Sequence, residues 1–490
     1  MSEISAKIKS VYSDYAVYKD KEANALFAGR TLPNYVKDYI LNRYSVDGVR
    51  DDEAIREYLE AKMPRNRKEI KKMLMDGEAV NVTACVIIKL DLDKGRVTFT
   101  LPGIVETSSD MIISPQVLQD DDGDIVDGEN WGNVTIQYVQ PKGNAKGYIV
   151  MTSFKSFKPY KNLNFDNFID LRTSLTTDEW IDVLIATLGY IPESFPSVDV
   201  KLAMLMRLIP YVEANLNFIE LGPKSSGKSH VYSNLSKYTK MISGKCTRAQ
   251  LIYNYSTKDA GPLQNHDVVV FDEVSSLSFE SRGKDDIESF LKTYLENGRA
   301  DLAKTTIEST CGMGLVGNIE LTAEMVPVDD NFQRVLPDIF RSSAMMDRFH
   351  LFIPGWRLPK IMEGQLYNGW AIDAEFFSEY LHYLRTQTYG HTIFDELVTY
   401  DRRNSYIRHS NAVRRVASAL CKLLFPHLRS VNELAPDDLS AFKALYGRYC
   451  LTPAIEGRTY IYNQCKTIDP EFTRTAMPEY SIDDSSDIVD

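Results

Sequence analysis

The chain has 490 residues, 44% hydrophobic and 25% charged, which is ordinary for a globular protein of about two to four domains. Its 56 Lys and Arg against 68 Asp and Glu leave a net charge of −12, which excludes a generally basic binder but not a basic lining inside an acidic shell. Six scattered cysteines without a C-x-x-C pair argue against a disulfide frame or a zinc site, and with no leader or membrane-length apolar run the expectation is a soluble, cytoplasmic protein with no membrane contact.

Residues 1 to about 80 read as helical and charge-rich, most simply solvated helices. From 80 to 155, "VNVTACVIIKLDL", "GRVTFTLPG", "NVTIQYVQP" and "KGYIVMTSF" are short β-branched runs between turn residues. They predict a small barrel or sandwich, with an oligonucleotide-binding barrel as one candidate. The acidic run 120–124, with Asp127 and Glu129, has its glycines at the wrong places for a calcium loop and reads as an acidic turn. Residues 156–170 read as a polar, aromatic linker.

A helix then begins at "TTDEWIDVLIATLGY", with Thr176 and Glu179 spaced as a capping box and Trp180, Val183, Leu184 and Leu188 on its apolar face. In "LNFIELGPKSSGKSHVY", Phe218, Ile219 and Leu221 read as a buried strand. Gly222, Pro223, Lys224, Ser225, Ser226, Gly227, Lys228 and Ser229 after it fit G-x-x-x-x-G-K-[ST]. The chemistry demands these types. Glycines let backbone N–H groups curl toward phosphate oxygens, the lysine reaches the β- and γ-phosphates, and the serine hydroxyl binds Mg²⁺. The next helix adds the positive end of its dipole.

"HDVVVFDEV" places Val268, Val269, Val270 and Phe271 before Asp272 and Glu273. A continuous apolar run reads as a strand buried on both faces of a parallel sheet, and its carboxyl end is where such sheets bind ligands. Asp272 is expected in the Mg²⁺ shell, and Glu273 as the group that orients and deprotonates the attacking water. "DDIESFLKTYLENG" predicts an amphipathic helix stopped by Gly298, and "GMGLVGNIEL" a buried strand ending at Asn318, a bridge between water and γ-phosphate. In "SSAMMDRFHLFIPGW", Arg348 is the candidate arginine finger supplied in trans, with Arg341 as runner-up. "SNAVRRVASALCKLLFPH" predicts a helix capped by Ser410, with Arg414 as the lid arginine that senses the γ-phosphate and Arg415 as alternate.

This order of phosphate loop, Asp-Glu strand, asparagine, Asp-Arg-Phe and lid arginine resembles an AAA+ ATPase. "TTDEWIDVL", "PYVEANLNFIELGPKSSGKSHVY", "DVVVFDEV", "GLVGNIE" and "MMDRFHLFIPGWRLPK" look like the BrxL family, Lon-like ATPases of BREX bacteriophage-exclusion systems. The resemblance runs from about Tyr35 to His427. It implies an α/β AAA+ core (166–360), ATP and Mg²⁺ as cofactors, and a helical lid with C-terminal helices (361–478). It also implies a mixed helical and β-rich collar at 1–165. Residues 479–490 read as an acidic disordered tail. The resemblance further implies a homo-oligomeric ring, a hexamer with two stacked rings as an option, that binds double-stranded DNA without sequence preference and restricts phage alongside other defence components.

Full-length members carry a Lon-type protease-like domain. The short stretch after Arg415 shows no serine–lysine pair with a desolvating pocket, so no peptidase activity is expected. The alternative is a remodeller of polypeptide, and a third reading is a nucleotide-gated scaffold. Pore residues separate the first two. Candidate DNA contacts are Lys245 and Arg248 in "SGKCTRAQ", and Arg299 and Lys304 where helicase-like members insert a hairpin. Tyr253 and Tyr255 suit either substrate.

Overall fold

This computed structural model describes residues 2–482 apart from positions 31, 47, 65–66, 92–94, 105–110, 120–127, 141–145, 158–162, 255–258, 280–283, 303–304, 402 and 404. The acidic run 120–124, Tyr255 and Lys304 therefore lie outside the described residues. The chain divides into two compact units, Val17–Leu163 and a second formed by Met1–Ala16 with Asn164–Asp490.

The 17–163 unit joins helices Asn34–Arg43, Asp52–Lys62 and Arg67–Met75 to a five-stranded sheet. Its strands are β1 (Ala79–Asp91), β2 (Arg96–Thr100), β3 (Met111–Ile113), β4 (Gly128–Val139) and β5 (Tyr148–Ser156). The order is β2-β1-β4-β5-β3, antiparallel except for the parallel β5–β3 pair. The sheet rolls until its edge strands β2 and β3 lie close to each other. Alternating residues such as Val80, Val82, Val86 and Ile88 face a core shared with Phe99, Val134, Ile136 and Met151. The helices are less solvated than expected: Ile70 and Leu74 close that core, and Tyr58 donates to or accepts from Thr83 Oγ1 at 2.7 Å.

Three boundaries differ from the sequence reading in the second unit. Residues 1–16 belong here and not to the collar, because Ser5 Oγ accepts the Trp370 N–H at 2.9 Å and Tyr12 packs on Phe168 with ring centres 4.9 Å apart. The expected linker holds a helix, Phe165–Arg172, capped by Asn164. The expected disordered tail holds a strand, Tyr480–Ile482, paired antiparallel with Val398–Tyr400. The capping box is present at the head of α1 (Thr177–Thr187), which is buried nearly all round and not along one face.

The central sheet contains β6 (Phe218–Gly222), β7 (Thr239–Ile242), β8 (Val268–Phe271), β11 (Gly312–Asn318) and β12 (Leu351–Pro354). All neighbours are parallel, in the order β7-β8-β11-β6-β12. Such a sheet, with a strand inserted between the first strand and the Asp-bearing strand, is the architecture expected of the AAA+ core. Short helix α2 (Lys228–Asn234) follows β6, and α3 (Lys284–Asn297) leads through Gly298 into an antiparallel hairpin, β9 (Arg299–Leu302) with β10 (Thr305–Glu308). C-terminal helices α4 (Ile407–Leu424) and α5 (Thr452–Ile468) belong to the same unit. Among the described residues no helix is long and apolar enough to cross a membrane.

Candidate nucleotide site

The strand register brings three chain positions to one edge of the sheet. Asn318 at the end of β11 pairs in register with Gly222 at the end of β6, and Asp272 follows β8, the strand on the other side of β11. The loop after β6 turns through two left-handed residues, Ser225 (φ 65°) and Gly227 (φ 76°). Gly227 is required there twice over: a side chain is strained at that φ, and its Cβ would lie 2.6 Å from the Tyr190 hydroxyl. Ile361 donates its N–H to Ser225 O at 2.8 Å and closes the loop from the far side.

Lys228 opens α2 and is only 7% exposed. Its Nζ donates to Pro223 O at 2.6 Å and to Gly222 O, Ser226 Oγ and Asn318 Oδ1 at 3.3 Å each. Burial lowers its pKa, an effect that Arg207 reinforces and Glu220 and Asp272 oppose. The loop thus surrounds one ammonium with carbonyl and hydroxyl oxygens, and a tight left-handed cradle admits no side chain; both features fit a polyphosphate.

Ser229 lies one residue beyond Lys228 and is exposed, as is Lys224; Asp272 is half-buried. No group of three His, Cys, Asp or Glu side chains able to hold a metal occurs among the described residues. A divalent ion here would take the Ser229 hydroxyl, the Asp272 carboxylate and phosphate oxygens, which suits Mg²⁺, an ion that keeps most of its water.

Glu273 is exposed and adopts φ 50°, ψ 48°, a left-handed conformation. Asp272 Oδ1 accepts its N–H at 2.9 Å and Ser276 donates its N–H to its carbonyl at 2.8 Å, so the turn fixes this backbone in a costly state. The strain projects a carboxylate at the same sheet edge as Lys228.

Two supports of the loop escaped the sequence reading. Arg207 and Glu220 are both 0% exposed and form a bidentate pair, Nη2–Oε1 2.6 Å and Nε–Oε2 3.2 Å. Arg207 Nη1 also donates to Ser226 O at 3.0 Å, and Tyr232 donates to Glu220 Oε2 at 2.8 Å. The available signal was a glutamate inside the otherwise apolar "FIELG". Tyr190, over Gly227, left no such signal.

Arg348 stands at the opposite end of the sheet. It precedes β12, whose Leu351 pairs with Phe218 at the start of β6. Its Nε donates to Lys292 O at 2.7 Å and pairs with Glu296 at 3.1 Å. That placement keeps it from its own phosphate loop. Arg341 is exposed, bonded to Leu336 O at 2.7 Å and paired with Asp338 at 2.7 Å.

Arg414, expected as the lid arginine, is engaged elsewhere in the chain. It pairs with Asp395, Nε–Oδ1 2.7 Å, and Arg415 beside it donates to Ala214 O at 2.8 Å, ahead of β6 and away from the loop. The helix that carries both arginines starts earlier than its sequence suggests. α4 begins at Ile407, with Ser410 buried within it and bonded back to Ile407 O at 3.0 Å, not capping it.

Of the candidate DNA contacts, Lys245 is exposed on a two-residue strand beside Ser278–Phe279. Arg248 begins a short helix and its side chain lies outside the described residues. The expected hairpin exists, and Arg299 at its base is exposed and paired with Glu308 at 3.0 Å. A second hairpin joins Tyr253–Asn254 to Asp259–Ala260. Tyr253 packs against the main core cluster.

Residues 149–478 match the family described as Lon-like protease BrxL-like, ATPase domain, and residues 10–138 match the BREX system Lon protease-like protein BrxL N-terminal family. Two curated relatives, both named Lon-like protease BrxL, are similar along most of the chain. One, from Escherichia coli O9:H4 (strain HS), is 27% identical over 476 residues, 95% of this chain and 65% of that protein. The other, from Bacillus cereus (strain H3081.97), is 27% identical over 454 residues, 88% of this chain and 64% of that protein. The chain thus spans just under two thirds of the length of these relatives. With the phosphate loop, the Asp-Glu strand and the asparagine strand in place on such a sheet, the chain belongs to the BrxL family, and contains both its N-terminal and its ATPase regions.

Proposed function

We propose that the protein hydrolyses ATP with Mg²⁺ in a ring of identical chains, binds double-stranded DNA without sequence preference, and couples the two in BREX-type phage defence. The observation that carries the reading is the meeting of Lys228, Asn318 and Asp272 at the carboxyl ends of three adjacent parallel strands. Lys228 and the loop N–H groups hold the phosphates, and Ser229 and Asp272 hold the ion. Glu273 takes the proton of the attacking water, and Asn318 orients that water. Arg348 of a second chain stabilises charge on the transferring group, which its position at the far sheet edge supports.

The DNA reading is supported by the hairpin that leaves α3 at Gly298 and by the exposed Arg299 and Lys245. With a net charge of −12, any attraction for phosphates must be local to such elements. ATP turnover with and without duplex DNA, over a range of salt, tests it. Stimulation by duplexes of unrelated sequence is expected. Arg299→Ala should weaken binding to all of them alike and flatten the salt slope by up to about 0.9 per contact removed. Stimulation by unfolded polypeptide and not by DNA would replace this reading with that of a protein remodeller.

A further inference from the structure

At the sheet end away from the phosphate loop, Arg348, Arg408, Arg415 and Asn411 line a small cleft of about 80 Å³ with Glu296 and Asp347. Glu296 is shared. Its carboxylate receives a bidentate bond from Arg408, Nη2–Oε2 2.8 Å and Nε–Oε1 3.0 Å, while Arg348 pairs with it at 3.1 Å. Arg408 reaches on to Asp347 at 3.2 Å. So the lid-helix arginine that joins Arg348 is Arg408, about 1.7 turns before Arg414 on α4.

Glu296 also sits at a mechanical junction. It is in the last turn of α3, whose Lys292 carbonyl is held by Arg348 at 2.7 Å. The next break is Gly298, at φ 72°, where a Cβ would lie 2.3 Å from Ser309 O. The hairpin β9–β10 begins at the residue after it.

We propose that Glu296 is a resident counter-ion that clamps Arg348 and Arg408, and that a phosphate of ATP bound to a second copy of the chain displaces it, freeing the end of α3 and the hairpin it carries. This deepens the proposed function and rests on its placing of Arg348 in trans. The chemistry is competition between two anions for the same pair of guanidinium groups. A polyphosphate offers more charge and more acceptor oxygens than one carboxylate. The clamp is half open to water, with Glu296 37% and Arg408 40% exposed, so exchange between partners needs no unfolding. Arg408 thereby becomes a positioning residue for the hairpin as well as a second cation for the phosphate.

Backbone hydrogen exchange of the full-length chain tests this. It is read on the 299–308 hairpin with and without a slowly hydrolysed ATP analogue, in wild type and E296Q. In wild type, the analogue is expected to speed hairpin exchange about two- to fivefold, the span set by ion pairs at this exposure. In E296Q the hairpin is expected to exchange at the faster rate already and to gain nothing from the analogue. Should E296Q fail to fold, E296D withdraws the carboxylate by one methylene and is expected to give a smaller rise of the same sign. Hairpin exchange in the variant equal to wild type without the analogue, or a variant that the analogue speeds as much as wild type, overturns the clamp. A companion measurement separates the two layers of the reading. Chains carrying Arg348→Ala are mixed with chains carrying Lys228→Ala, and ATP turnover is followed. Recovery in the mixture with a wild-type hairpin indifferent to the analogue removes the clamp and leaves Arg348 in trans. No recovery at any ratio, in assemblies shown to be mixed, removes the trans arginine and the clamp with it.

Discussion

Glu273 pays for its position with backbone strain, since a non-glycine residue at φ 50° costs roughly 1 kcal/mol. Glu273→Gly should therefore raise stability to urea by roughly that amount while turnover is lost; a fall in stability would show that the turn is not strained. Arg207 and Glu220 pose the opposite case, two buried charges that compensate each other under the phosphate loop. Glu220→Gln strands the Arg207 guanidinium and should cost roughly 3–5 kcal/mol of unfolding free energy, whereas replacing both partners with apolar residues of similar volume should cost much less. Equal losses from the single and double changes would contradict this. At this scale the sequence was readable where chemistry demands a residue type in a fixed spacing, as at Gly222–Lys228–Ser229 and Asp272–Glu273. It was silent where the partner is remote. Nothing local ties Arg207 to Ser226, and nothing distinguishes Arg408 from Arg414 until the start of α4 is known.

The hairpin β9–β10 depends on one turn. Gly298 lies at φ 72° with Asn215 Nδ2 and Ser309 O each 2.3 Å from where a Cβ would stand. Gly298→Ala should destabilise the chain by more than 1 kcal/mol, because the left-handed penalty and the contact with backbone add. Urea midpoints of wild type and variant check it, and a loss within error would mean that α3 and the hairpin adjust freely. The elements of the central sheet were legible because strands buried on both faces, such as "VVVF", are continuous apolar runs. Helix ends were less so. Ser410 looked like a cap, but α4 extends past it to Ile407, where Tyr406 precedes the first turn without a capping side chain. The tail strand Tyr480–Ile482 was hidden by its acidic surroundings, since its pairing partner lies some eighty positions earlier at Val398–Tyr400.

Across the Asn164–Asp490 part of the chain, the segment before β6 is tied to the C-terminal helices by a buried charged group. Glu213 accepts from Lys422 Nζ at 2.7 Å and bonds His391 Nε2 at 2.8 Å, and His391 Nδ1 meets Ser418 Oγ at 3.2 Å. Serine, histidine and glutamate are thus bonded in the order of a nucleophilic triad. Ser418 is 0% exposed, however, so no substrate carbonyl can reach it, and the network serves packing. Burial alone would raise the Glu213 pKa, but the His391 hydrogen bond and the Lys422 charge outweigh it and hold the carboxyl down at about 2. A folded-state pKa below the unfolded value of about 4.3 contributes stability that is fully present above pH 5 and lost as pH falls toward 2. The contribution is of the order of 3 kcal/mol. Glu213→Gln should flatten that acid limb in urea unfolding from pH 6 to 3, and an unchanged slope would remove Glu213 as its source.

ATP binding and ATP turnover, measured side by side in wild type, Lys228→Ala and Glu273→Gln, test the central claim most directly. Wild type should bind and turn over. Lys228→Ala should do neither, because the ammonium at the centre of the loop is gone. Glu273→Gln should bind ATP as tightly as wild type and lose turnover by about 100-fold or more, the scale of one general base. Turnover by Glu273→Gln at the wild-type rate, or tight binding by Lys228→Ala, would contradict the account.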